Sequence, residues 1–171
     1  MKKLIYSLFV LFFIVSSQKS NFNEKEKFIE NLISQMTLEE KVGQMTQINV
    51  TVIAKGPNRF SSSTPMEIDD NRANKALVEY KVGSVLNTIN NTAQKPSVWF
   101  KNISKIQEIS MNNNRLKIPV IYGIDAIHGT TYTDGATMFP QQITTAASWN
   151  PENAYNMAQV CAYETRASSI P

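Results

Sequence analysis

Residues 118–142 read IPVIYGIDAIHGTTYTDGATMFPQQ. The first seven, Ile118 to Ile124, carry almost no polar break. That is the composition of a short strand covered on both faces, as in a parallel sheet. The run feeds straight into Asp125, and the stretch from Asp125 to Pro140 has the Gly, Thr and Pro content of a loop. In parallel α/β barrels the side chains at C-terminal strand ends point into the site, so Asp125 stands where a ligand-binding carboxylate would stand. An ionised carboxylate there can accept strong hydrogen bonds from two adjacent hydroxyls. The same position suits an Asp that caps the following turn through an Asx-type bond, and position alone leaves the two roles even.

Working towards the N-terminus, two more β-branched runs predict strands, Thr46 to Ile53 and Ser84 to Ile89. The three strand centres, near Val50, Val85 and Val120, are spaced 35 residues apart, the length of a βα unit. Helical patterns fill the gaps. One carries Ala73, Ala76, Leu77 and Tyr80 on a single face behind a cap at Asp69, Asp70 or Asn71. Another carries Trp99, Ile103 and Ile106 and ends in Asn112 to Asn114. Loops are expected at Lys55 to Pro65 and Asn90 to Pro96. Further upstream, Phe28, Ile29, Leu32, Ile33 and Met36 recur at helical spacing. Thr37-Leu38-Glu39-Glu40 then fits a capping box that opens a second short helix burying Leu38, Val42 and Met45. Downstream, Asn150 and Pro151 read as cap and first-turn proline of a helix whose buried face is Ala154, Met157, Ala158, Cys161, Ala162 and Thr165.

Alternating strands and helices predict an α/β fold with a parallel sheet. The expected architecture is the first part of a (β/α)8 TIM-like barrel, incomplete, with about three βα units present. A whole barrel takes eight strands and about 250 residues. The chain has 171 and ends at Ile170-Pro171, where a fourth strand is due, so it reads as cut short. Gly-x-Gly-x-x-Gly and the phosphate-cradling Gly-Lys-Ser/Thr do not occur, which argues against a nucleotide-binding α/β fold.

Composition bounds the function classes. With 42% hydrophobic and 18% charged residues the chain can form a core. Lys2 and Lys3, the apolar stretch Leu4 to Val15, and Ser16-Ser17 read as a secretory signal peptide over residues 1–17. Crossing a bilayer takes about 20 residues, so this run is too short for a comfortable anchor. Residues 18–27 read as a linker and 28–171 as the N-terminal part of the barrel domain. The formal charge of +3 falls to +1 without Lys2 and Lys3, leaving no electrostatic footprint for nucleic acid. One histidine and one cysteine exclude a multi-histidine or Cys/His metal cluster and an internal disulfide. Cys161 reads as a small buried apolar residue. Asn49, Asn90 and Asn102 each begin an N-x-S/T sequon, a possible glycan site in a secreted chain.

Four segments, in order, resemble glycoside hydrolase family 3: ISQMTLEEKVGQM (residues 33–45), IPVIYGIDAIHG (118–129), GATMFPQ (135–141), and WNPE through YETRASSIP (149–171). The resemblance covers nearly everything after the signal peptide. It implies a β-glucosidase with a (β/α)8-like first domain, which releases β-linked glucose from non-reducing ends with retention of configuration. Such an enzyme needs two carboxylates, one as nucleophile and one as acid then base. The family's Asp at the place of Asp125 binds hydroxyls of the glucose, so Asp125 is the one site residue carried over, as substrate-binding. Asp-Ala-Ile-His-Gly resembles the glucosidase side of the family, whereas β-xylosidases tend to have Glu there. The resemblance implies a β-glucoside or β-glucan oligosaccharide as substrate, no cofactor, no membrane contact after signal cleavage, and an extracellular or lysosome-like compartment.

The nucleophile's Ser/Thr-Asp-Trp segment does not occur in residues 1–171. The sugar-holding Arg and Lys-His pair, and the acid/base Glu, are likewise expected beyond Pro171. No residue here is assigned as catalytic or metal-binding, and the chain alone is expected to be inactive. A secreted carbohydrate-binding or decoy fragment, or a non-functional product, are the competing readings. The remaining polar and aromatic residues are read as structural. His128 is expected to bond backbone and fix the loop, Asp134 to form a turn with Gly135, Glu164 and Arg166 to form ion pairs, and Trp99 and Trp149 to pack in the core.

Overall fold

A computed structural model describes residues 23–58 and 60–171. The expected signal peptide lies outside them, as do residues 18–22 of the expected linker. Residues 23–27, the rest of that linker, are helical and continuous with helix α1 (residues 23–35). The chain divides into two compact units, one ending at Lys41 and one spanning Val42–Pro171.

In the first unit the capping box forms as the sequence dictates. Glu40 N–H donates to Thr37 Oγ1 (3.2 Å) and Thr37 N–H donates to Glu40 Oε2 (2.9 Å). Two otherwise orphaned donors at the start of α2 (Leu38–Gln44) are thereby satisfied reciprocally. The apolar face expected for α2 is not buried: Leu38, Val42 and Met45 are all exposed. The buried point of this helix is Gly43, whose carbonyl accepts from Gly83 N–H at 2.9 Å.

The second unit is built on three short parallel strands in the order β1 (Gln47–Asn49), β2 (Ser84–Leu86), β3 (Ile121–Gly123). Gln47 pairs with Ser84 and Ser84 with Ile121, a constant register step of 37 residues. The fold is α/β, and the strands repeat as the opening units of a (β/α)8 barrel do. Val50, the expected centre of the first strand, lies just past β1 in a 3₁₀ turn (Val50–Val52). Asn49 ends the strand by accepting Thr51 N–H on its side-chain oxygen at 3.0 Å.

A helix, a π-helical turn and a second helix connect the strands. Helix α3 (Asp70–Asn74) is capped by Asp69, whose carboxylate accepts from Arg72 N–H at 3.0 Å. It continues as a π-helical turn, Lys75–Glu79. There Tyr80 N–H bonds Lys75 O and adds a residue to the turn. That addition rotates the expected face: Ala73, Ala76 and Leu77 are buried, but Tyr80 is 58% exposed. Helix α4 (Pro96–Asn113) opens on Pro96 in its first turn and buries Trp99, Ile103, Ile106 and Ile109. Its face continues the spacing read from the sequence.

The core lies on one side of the sheet. Val85 and Tyr122 are buried beneath the helices, with Ile48 packed against them. On the other face Ser84, Leu86 and Gly123 are half-buried and Ile121 is 70% exposed. The expectation that β3 is covered on both faces is therefore wrong for this chain, because the described helices bury only alternate strand residues. Beyond β3 the sequence missed α5 (Gln142–Ala146). Helix α6 (Pro151–Ala167) starts as expected, with Asn150 accepting Glu152 N–H at 3.1 Å. None of its residues is fully buried: of the expected apolar face, Met157, Cys161 and Thr165 are half-buried and Ala154, Ala158 and Ala162 are exposed. No helix among the described residues is long and apolar enough to cross a membrane.

Candidate functional site

The C-terminal ends of the strands bring Asn49, Asn87 and Asp125 to one end of the sheet. Asp125 is exposed. Its carboxylate takes one side-chain hydrogen bond, from Asn87 Nδ2 to Oδ2 at 3.1 Å. Among the described residues, the bond on its carboxylate comes from Asn87 and not from the turn that follows it.

Asn87 follows β2 directly, and its φ of 74° is left-handed, a conformation Asn tolerates better than most residues. Its N–H donates to Gly123 O (2.8 Å), and its carbonyl accepts the Tyr122 hydroxyl (2.6 Å). Its side-chain oxygen accepts Thr88 N–H at 3.0 Å, which fixes the amide with the NH₂ end towards Asp125. Tyr122 meets Trp99 edge to face, with ring centroids 5.9 Å apart, and Trp99 Nε1 donates to Tyr132 O at 3.1 Å. Burial holds the Tyr122 phenol well above the usual tyrosine range, so it remains a donor. Sequence reasoning missed Asn87. The available signal was an Asn just past a β-branched run, level with the carboxylate that ends the next strand.

The loop after Asp125 is fastened from several sides. His128 donates from Nδ1 to Phe139 O (3.0 Å), and Phe139 N–H returns to His128 O (2.7 Å). The structural role read for His128 is the one it plays. Asp134 and Gly135 sit in the turn closed by Ala136 N–H on Thr133 O at 3.2 Å. Glu164, expected in an ion pair, instead grips Thr137. Its Oε2 accepts the Thr137 N–H (2.9 Å) and its Oε1 the Thr137 hydroxyl (2.8 Å). Cys161 is half-buried, with its thiol directed at Ala126 O (3.5 Å). Trp99 is in the core as expected, but Trp149 is 92% exposed with a left-handed φ of 52°, and core packing is wrong for it.

A cavity of about 440 Å³ opens beside the ends of β1 and β2, lined by Asn49, Thr51, Phe60, Thr88 and Asn90 among others. Its wall mixes carboxamides and hydroxyls with Val52 and Phe60, and neither Asn87 nor Asp125 lines it. Among the described residues no group of three or more His, Cys, Asp or Glu is placed to hold a metal ion.

Comparison with known proteins fits this geometry. Residues 37–171 match the family described as Glycosyl hydrolase family 3 N terminal domain. The chain is 34% identical over 170 residues to the lysosomal beta glucosidase of Dictyostelium discoideum, covering 92% of this chain and 19% of that protein. It is 28% identical over 140 residues to the periplasmic beta-glucosidase of Salmonella typhimurium, covering 82% of this chain and 15% of that one. Among solved structures, a family 3 beta-N-acetylglucosaminidase from Paenibacillus sp. superposes with a TM-score of 0.61 at 26% identity, covering 79% of this chain and 23% of the other. The chain therefore spans under a fifth of the length of these two curated relatives. With a parallel α/β sheet, a carboxylate at the end of its third strand and a family match over most of its length, the chain belongs to glycosyl hydrolase family 3, within the family's N-terminal domain.

Proposed function

We propose that this chain is part of a retaining β-glucosidase and that Asp125 binds hydroxyls of the terminal glucose. The observation that carries the reading is the placement of Asp125. It is an exposed carboxylate at the C-terminal end of β3, with one oxygen held by Asn87 and the other without a partner among the described residues. Two vicinal sugar hydroxyls can both donate to such a carboxylate, and bonds to an ionised acceptor are the stronger kind. The two named β-glucosidase relatives support the substrate class. The Paenibacillus relative acts on a different sugar, so the choice of glucose rests on the Asp-Ala-Ile-His-Gly sequence around Asp125.

In a retaining enzyme the two catalytic carboxyl groups stand about 5–5.5 Å apart. No carboxylate of residues 1–171 is assigned to that pair, so this chain supplies sugar binding and not bond cleavage. The lysosomal and periplasmic relatives and the Lys2–Ser17 sequence together support entry into the secretory pathway, with an extracellular or lysosome-like destination.

The test is to assay the 171-residue chain and the longest product of its gene side by side on p-nitrophenyl β-glucoside, β-xyloside and β-N-acetylglucosaminide. The longer product is expected to prefer the glucoside and the 171-residue chain to be inactive. A preference for either other sugar would overturn the substrate reading. Turnover by the 171-residue chain would overturn the division of roles.

A further inference from the structure

We infer that Asn87 is the positioning residue of Asp125, locking its carboxylate in the orientation that receives sugar hydroxyls; this rests on the glucose-binding reading of Asp125. Three separate bonds run from Asn87 to the strand that carries the carboxylate. Its N–H goes to Gly123 O (2.8 Å), its carbonyl takes the Tyr122 hydroxyl (2.6 Å), and its Nδ2 reaches Asp125 Oδ2 (3.1 Å). A fourth bond, from Thr88 N–H to its side-chain oxygen at 3.0 Å, sets which end of the amide faces Asp125. The side chain therefore has no freedom to turn away without breaking a bond of its own.

The left-handed backbone is what makes this reach possible. β2 pairs Leu86 with Gly123, so Asn87 and Asp125 are offset along neighbouring strands. The φ of 74° turns the chain at Asn87, and its side chain meets the neighbouring strand's carboxylate. An exposed Asp is otherwise free in both side-chain torsions and would have to be ordered by the ligand itself. Ordering one such side chain in advance improves binding by about 2- to 12-fold. An ionised carboxylate has about four acceptor sites. Asn87 occupies one, and the others remain for the sugar.

The test uses the longest product of the gene, with Asn87→Gly, Asn87→Asp, Asp125→Ala and the Asn87→Gly/Asp125→Ala double variant. Glycine keeps the left-handed backbone and removes only the amide. Asn87→Gly is expected to lower kcat/KM on p-nitrophenyl β-glucoside by about 2- to 12-fold, mainly through KM. In the Asp125→Ala background it should cost nothing further. Asn87→Asp sets two carboxylates against each other, so its deficit relative to wild type should shrink as pH falls and one of the pair takes a proton. This second variant keeps the inference testable if the glycine variant does not fold. The inference is overturned if Asn87→Gly leaves kcat/KM unchanged, if it costs as much without Asp125 as with it, or if the Asn87→Asp deficit ignores pH. If Asp125→Ala is itself harmless, the glucose-binding reading falls and this inference with it. If Asp125→Ala is damaging and Asn87→Gly silent, only this inference falls.

Discussion

The hydroxyl of Tyr122, in the middle of β3, donates to the backbone carbonyl of Asn87 at 2.6 Å, so the buried core and the rim of the candidate site share one hydrogen bond. Tyr122→Phe removes the donor and leaves a carbonyl unsatisfied beside the core, at a cost of about 1–3 kcal/mol. Urea unfolding at neutral pH measures it. Alkaline pH gives a second signature. An unfolded tyrosine loses its proton near pH 10, whereas burial keeps the folded Tyr122 protonated well above that. The folded pKa is raised, so the contribution is whole below the unfolded value and is lost as pH rises above it. Wild-type stability should fall by up to about 1.4 kcal/mol per pH unit above pH 10 on account of this group. Tyr122→Phe should lack that part of the slope, and identical slopes would contradict the assignment.

Asn102 heads a sequon but is 1% exposed. Both hydrogens of its amide are in use, on Met66 O (2.9 Å) and Val98 O (2.8 Å), while its oxygen accepts Ile68 N–H (3.0 Å). A glycan replaces one of those hydrogens and needs open space, so folded protein from a glycosylating host should carry none at Asn102. Mass spectrometry of the peptide containing it checks this. Asn102→Ala should destabilise the second unit by about 2–4 kcal/mol, because it orphans buried backbone groups.

Two glycines in the loop after Asp125 should respond differently to alanine. Both have positive φ, 112° at Gly129 and 83° at Gly135. A Cβ on Gly129 would lie 2.2 Å from Thr137 O, on the residue that Glu164 holds in place, whereas a Cβ on Gly135 meets nothing within 4 Å. Gly135→Ala should therefore cost only the backbone strain, about 1–2 kcal/mol. Gly129→Ala should cost clearly more and should loosen the loop. Thermal melts of the two variants rank them, and equal melting temperatures would contradict the placement of Thr137.

Much of the fold was legible because its signals were local. The Thr37–Glu40 capping box, the Asn150-Pro151 start and the Trp99–Ile103–Ile106 face depend on residues close together in the chain, and each formed; the three β-branched runs also gave strands, but shorter ones at a step of 37 residues, with Val50 and Val120 outside them. What failed depended on what lies next to a face. The apolar sides of α2 and α6 read as buried, yet burial needs a neighbour, and the described residues provide little for either. Tyr80 was misplaced because sequence period assumes an unbroken α-helix, and a π turn intervenes. At the strand ends, the place of Asp125 was legible because it ends an apolar run, while its role was not, since position alone left binding and capping even. Asn87 was not legible at all, because its role comes from a left-handed turn and from register with the next strand, neither of which is written in its neighbours.

The role of Asp125 is tested most directly by kcat/KM of wild type and Asp125→Ala on p-nitrophenyl β-glucoside, measured in the longest product of the gene. Losing two hydrogen bonds to a charged acceptor should lower kcat/KM by about 10²- to 10⁴-fold with the fold intact. An Asp125→Ala protein that hydrolyses the glucoside as fast as wild type would show that this carboxylate does not hold the sugar, and would contradict the account.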